Sequence, residues 1–167
     1  MSDFRLDMVV DGQNPITLVE SLAEYRNWNF ERHTDNTIRL SVEGSWKNYS
    51  AELEWSRDPG ILVIVCSYEL TLAKSRMNEF LRVMNMANQR SWLGAFCHDD
   101  GAGAVSYHYR LKPGADSALT VGEVAELLDT IAADCDRFYP AFNLVRLGRK
   151  TAGEAVMSSI VETHGTA

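Results

Sequence analysis

The sequence predicts an α+β domain, an antiparallel sheet of about five to six strands with helices packed on it. Three observations carry this. Apolar residues alternate with polar ones in two hairpin regions, residues 38–55 and 92–112. Turn residues interrupt the alternation at Gly44-Ser45, at Arg57-Asp58-Pro59-Gly60 and at Asp99-Asp100-Gly101. Segments of helical periodicity, several opened by a capping residue, precede, separate and follow the hairpins. Hairpins separated by helices mean strands paired antiparallel under a helical layer.

Residues 1–13 read as an N-terminal extension, in which Phe4, Leu6, Met8 and Val10 alternate as in a strand. A frayed terminus fits them equally well. Residues 14–163 read as one domain and 164–167 as a tail. Asn14 caps a first helix and Pro15 occupies its first turn, where a missing N–H costs nothing. Ile16, Val19, Leu22 and Ala23 give that helix an apolar stripe to about Asn27, and a short strand around Phe30 follows.

Ile38, Leu40 and Val42, then Tyr49, Ala51, Leu53 and Trp55, form half-buried strands joined by a two-residue turn at Gly44-Ser45. This register sets Trp46 on the polar face, opposite Glu43. The next strand, from Ile61 to Leu70, is apolar on both sides. Leu62, Ile64, Cys66 and Tyr68 share the face of Trp55, Leu53, Ala51 and Tyr49, while Ile61, Val63 and Val65 occupy the other. Such a strand needs cover on both faces. The chain's own N-terminal segment or a helix would supply it, or else a second subunit or a partner.

A helix from about Ala73 to Arg90 carries Met77, Phe80, Leu81, Met84 and Ala87 or Asn88 as its stripe, with methionines as core filling. In the second hairpin, a turn at Asp99-Asp100-Gly101 pairs Phe96 with Val105, Gly94 with Tyr107 and Trp92 with Tyr109. All the large residues then share one face, and Gly94 makes room for Tyr107. Thr120 and Glu123 form a capping box that opens the longest helix, in which Pro140 predicts a kink or break and Gly148 the end. Thr151 and Glu154 form a second box, opening a last helix with Val156, Ile160 and Val161.

Bulk composition narrows the function. A chain of 167 residues with 46% hydrophobic residues supports a full core without disulfides or metals. A net charge of −7 argues against nucleic acid and anionic membrane partners. The longest apolar run, Ile61 to Cys66, is far too short to span a bilayer, and the N-terminus lacks the pattern of a signal peptide. Three cysteines without a C-x-x-C, Cys66, Cys97 and Cys135, sit in apolar patterns and fit a reducing compartment. The expected location is the cytoplasm.

Catalytic signatures are weak. His98 and His108 fall on opposite sheet faces in this register, which argues against a metal site, and no cofactor is expected. His98-Asp99-Asp100 reads as a hairpin tip, and the serines lack a nucleophile elbow. Gly101-Ala102-Gly103 joins two strands and lacks the Lys and Ser/Thr of a phosphate loop. Two binding readings stand. A protein-interaction surface would use Trp46, Ile61, Val63 and Val65. A small-molecule pocket between sheet and helix would use Trp92, Phe96, Tyr107 and Tyr109, whose rings equally serve as core.

Four stretches, Trp92-Leu93-Gly94-Ala95-Phe96, Asp136-Arg137-Phe138-Tyr139-Pro140-Ala141-Phe142, Asn14-Pro15 and Glu43-Gly44-Ser45-Trp46, resemble the YbjN family, also labelled bacterial sensory transduction regulators. The resemblance covers roughly residues 14–163. It implies a fold similar to the type III secretion chaperones, α+β domains that are commonly homodimers and bind segments of client proteins. It supplies no catalytic residues and names no client. The expectation is a non-enzymatic, chaperone-like adaptor or regulator acting as a homodimer on an unidentified client protein, with small-molecule sensing as the alternative.

Overall fold

A computed structural model describes residues 14–99, 103–114 and 119–164. The expectations for residues 1–13, for the Asp100-Gly101 tip and for residues 165–167 lie outside the described residues. Asn14 caps α1 (Pro15–Tyr25) by accepting the Ile16 N–H at 3.1 Å. Four strands follow, β1 (Phe30–Thr34), β2 (Thr37–Glu43), β3 (Asn48–Ser56) and β4 (Ile61–Glu69). A 3₁₀ turn at Lys74–Arg76 leads into α2 (Met77–Asn88). Next come β5 (Ala95–Asp99), β6 (Ala104–Leu111), α3 (Val121–Arg146) and α4 (Ala152–His164). The strands form one six-stranded antiparallel sheet in the order β1-β2-β3-β4-β6-β5. The fold is α+β, as the element order predicts.

Both hairpin registers differ from the sequence expectation by two residues. Glu43 pairs with Asn48, so the β2–β3 loop holds four residues and Trp46 lies in it rather than on a strand. In the second hairpin Phe96 pairs with Tyr107 and His98 with Val105. A slip of two leaves every side chain on its predicted face, because strand periodicity is two. The inward residues Leu40, Ala51, Cys66, Tyr107 and Phe96 therefore still form one buried row across five strands.

Helices α1, α2 and α3 pack on that inward face and α4 packs on α2 and α3; accordingly, alternate residues of β2 and β3 are buried and the others are not. On α2, Phe80, Val83, Met84 and Ala87 point inward. Leu81, expected in the stripe, is exposed, because the buried arc centres on Val83 instead. Asn88 caps the sheet edge. Its side chain accepts from the Phe96 N–H at 2.7 Å and donates to the Phe96 carbonyl at 3.0 Å, occupying groups that an edge strand would otherwise present for pairing.

Helix α3 opens with the predicted Thr120–Glu123 capping box and runs unbroken through Pro140. The expected break does not occur. Phe138 and Phe142, on either side of the proline, both pack edge-on against Phe96, at 5.7 and 5.0 Å between ring centres. Packing on Phe96 from both sides of the proline lets the helix continue across the missing hydrogen bond. Gly148, in the left-handed region at φ 69°, ends the helix as expected.

Gly94 does make room for Tyr107. A Cβ there would collide with the His108 carbonyl oxygen and come within 2.7 Å of the Tyr107 ring. Gly94→Ala should therefore destabilise the domain by about 1–3 kcal/mol through overpacking. Gly153→Ala, where a Cβ would meet nothing within 4 Å, should leave the melting temperature unchanged or raised. Equal thermal unfolding of the two variants would contradict this packing.

Candidate interaction surface and the helix lock beneath it

Three consecutive residues of α3 tie the helix layer to the sheet. Asp134 is buried at 6% exposure, and its Oδ2 accepts from the Tyr107 hydroxyl and the Ser91 hydroxyl, both at 2.8 Å. The Tyr107 oxygen in turn accepts the Gly94 N–H at 2.7 Å. Asp136 reaches the other way. Its Oδ1 accepts from the Tyr49 hydroxyl and its Oδ2 from the Ser45 N–H, each at 2.6 Å. Gly44 is required beside it, since a Cβ there would collide with the Tyr49 ring and come within 2.6 Å of Asp136 Oδ1. Between the two carboxylates, Cys135 meets Cys66 of β4. The Cys66 thiol and then burial push the Cys135 thiol far above its ordinary range, which keeps it an un-ionised core residue.

The opposite face of the sheet carries no described helix. Its central strand β4 presents Ile61, Val63 and Val65, each half-buried between neighbouring strands. Across it, Val63 lies between Glu54 of β3 and Arg110 of β6, and Val65 between Glu52 and His108. Ser50, Ser67, Ser106 and Cys97 form the next row. Ser106 and His108 share a hydrogen bond of 2.8 Å, and burial, then Arg110, lowers the His108 imidazole below its ordinary value. Cys97 is exposed on this face and does not sit in an apolar setting, correcting the sequence expectation.

The structure divides the residues singled out from sequence. Ile61, Val63 and Val65 stand together on the open face. Trp46 is 57% exposed at the β2–β3 loop, apart from that strip in the register. Of the pocket residues, Phe96 and Tyr107 are core, with rings 4.9 Å apart. Trp92 and Tyr109 instead line a solvent-open groove of about 350 Å³ with Leu111, Leu119 and Leu127, and Trp92 is 85% exposed. Trp92 precedes β5 and so does not pair with Tyr109 in the sheet.

His98 faces the core edge-on to Phe80 at 5.9 Å, while His108 faces outward, so the two histidines lie on opposite faces as their register requires. Among the described residues, no group of three or more His, Cys, Asp and Glu side chains could hold a metal ion. No helix of the described residues is long and apolar enough to cross a membrane. The carboxylates Asp134 and Asp136 went unnoticed in the sequence. Their signal was the D-x-D spacing on a helix whose intervening cysteine follows the apolar stripe.

Residues 15–144 match the family model of YbjN, provisionally described as a bacterial sensory transduction regulator. The chain belongs to the YbjN family. No curated protein matches it. Several of the residues through which this YbjN chain shows its resemblance are lock residues. Gly44 and Ser45 meet Asp136, Gly94 admits and bonds Tyr107 above Asp134, and Phe96 packs on Phe138 and Phe142. These residues therefore hold the scaffold, while Trp46 and Trp92 of the same stretches stay exposed.

The lock has a pH signature. Burial first, and the Asp134 carboxylate that its hydroxyl donates to, push the Tyr107 phenol from 10.0 up to about 12. Below the unfolded value the proton is bound in both states. As pH rises from 10 towards 12 the unfolded chain loses it first, so stability falls across that window. Tyr49 is raised in the same sense by burial and Asp136. Denaturant unfolding across this window should show the decline, and Tyr107→Phe should make it shallower. An unchanged slope in that variant would remove Tyr107 from the linkage.

Proposed function

We propose that this YbjN chain is a non-enzymatic protein-binding module, a chaperone-like adaptor or regulator that acts as a homodimer on a client protein in the cytoplasm. The observation that carries the reading is the run of outward aliphatics, Ile61, Val63 and Val65, at the centre of a sheet face without a described helix. An interior strand with an apolar outer row is a site where contact removes water from hydrocarbon. The flanking charged rows give such a contact a polar rim. Asp134, buried, and Asp136, half-buried, are already engaged in holding α3 to the sheet, which gives both a structural task. The acidic balance of −7 favours protein partners over nucleic acid.

Val63→Asp places a charge in the middle of the strip. Self-association or client capture should weaken at least about tenfold, while circular dichroism and the melting temperature stay near the wild type. A variant that associates and captures its client as the wild type does would show that this face is not the working surface.

The groove beside Trp92 favours a second reading, a small-molecule-sensing regulatory domain. It is lined by leucines and aromatic rings, with Glu123, Glu126 and Thr130 as its polar groups. A thermal-shift screen of metabolites should then find a ligand that raises the melting temperature, and Trp92→Ala should abolish the shift. A screen in which no compound stabilises the wild type would leave the interaction surface as the sole reading.

A further inference from the structure

The open face is divided by charge into lanes. Glu54 and Glu52 lie on β3, the aliphatic residues on β4, and Arg110 and His108 on β6. Adjacent strands are about 4.8 Å apart, so acid and base in one row stand roughly 10 Å from each other with a valine between them. Glu52 is paired with Arg39 at 2.8 Å. Glu54 and Arg110 are exposed, and among the described residues neither forms an ion pair. The neighbouring row, Ser50–Ser67–Ser106, is made of small side chains that permit close approach.

We propose that a second copy of this chain packs on this face about a two-fold axis parallel to β4. The β4 strips stack on one another, and Glu54 meets the partner's Arg110 on both sides. The proposal rests on the reading of this face as the working surface, and adds where the second copy sits on it and in which orientation.

Symmetry and charge select the arrangement. A two-fold axis lying between two facing sheets has two limiting directions relative to the strands. An axis across the strands returns each lane to itself, setting Glu54 on Glu54 and Arg110 on Arg110, which like-charge repulsion opposes. An axis along the strands exchanges left and right while keeping the level along the strand. Glu54 then lies over Arg110, Glu52 over His108 and Val63 over Val63. Facing sheets pack about 10 Å apart with strands rotated by about 30°. The match is therefore tightest in the two rows around Val63 and Val65, and the complementary charges lie in the Val63 row.

Charge reversal tests this on the full chain, with self-association measured by analytical ultracentrifugation and folding checked by thermal unfolding. Glu54→Arg and Arg110→Glu should each weaken association about tenfold or more. The first makes the net charge less negative and the second more so, so a loss in both directions is not a net-charge effect. The variant carrying both reversals should recover association, because each cross pair again joins opposite charges. A wild type that stays monomeric at high concentration overturns the proposal. Single reversals that associate like the wild type overturn the axis direction. If Val63→Asp nevertheless abolishes client capture in the first case, or self-association in the second, the surface reading stands and only the second-copy geometry falls.

Discussion

Helix α3 presents Asp134, Cys135 and Asp136 to three different strands, and the shape of the domain follows from that attachment. Asp134 holds Tyr107 on β6, Cys135 meets Cys66 on β4, and Asp136 holds Tyr49 on β3. A buried carboxylate is costly unless its oxygens are satisfied by donors. Asp134 has two hydroxyls, and Asp136 a hydroxyl and a backbone N–H. Hydrogen bonds have narrow geometry, so these donors fix the position of the helix more closely than apolar packing alone would. The two glycines of the lock, Gly44 and Gly94, are there because any Cβ would occupy space already taken by Tyr49 or by Tyr107 and the His108 carbonyl.

The same attachment leaves the two sheet faces different in character. One is sealed by the helices and closed by rings such as Phe96, Phe138 and Phe142. The other keeps an aliphatic centre between an acidic and a basic lane. The stretches that carry the family resemblance supply lock residues, and also Trp46 and Trp92, which stay exposed. Motif words around Gly44, Gly94 and Phe138 maintain the scaffold, and a surface can change on it without disturbing the lock.

Much of the fold was legible because its signals are local. Asn14 before Pro15 and the two Thr-x-x-Glu boxes mark helix starts through bonds made within three residues. Face assignment was equally legible, and it survived hairpin registers that were wrong by two, since only an odd slip moves a side chain to the other face. Loop length was not legible. Ser45 is held by Asp136, 91 residues away in sequence, and that contact favours the four-residue loop over a two-residue turn. Of the kink or break that Pro140 predicts by local chemistry, the break does not occur, because packing on Phe96 from both sides keeps the helix continuous. The pocket residues divided as they did because Tyr107 turns its hydroxyl to a buried carboxylate, while Trp92, before the strand begins, points away from the core.

By itself the sequence determined the α+β class, the capped starts of α1, α3 and α4, the inward and outward faces of every described strand from β2 to β6, and the apolar row on the outer side of β4, while α2 begins at Met77 rather than near Ala73. These depend on periodicity and capping, which act over a few residues. Tertiary structure alone decided that Asp134 and Asp136 are structural, that Trp92 is exposed, and that Glu54 and Arg110 flank Val63 in one row. Those facts depend on which distant segments meet, and a meeting between β3, β4, β6 and α3 is settled by the summed burial and hydrogen bonding of the whole domain.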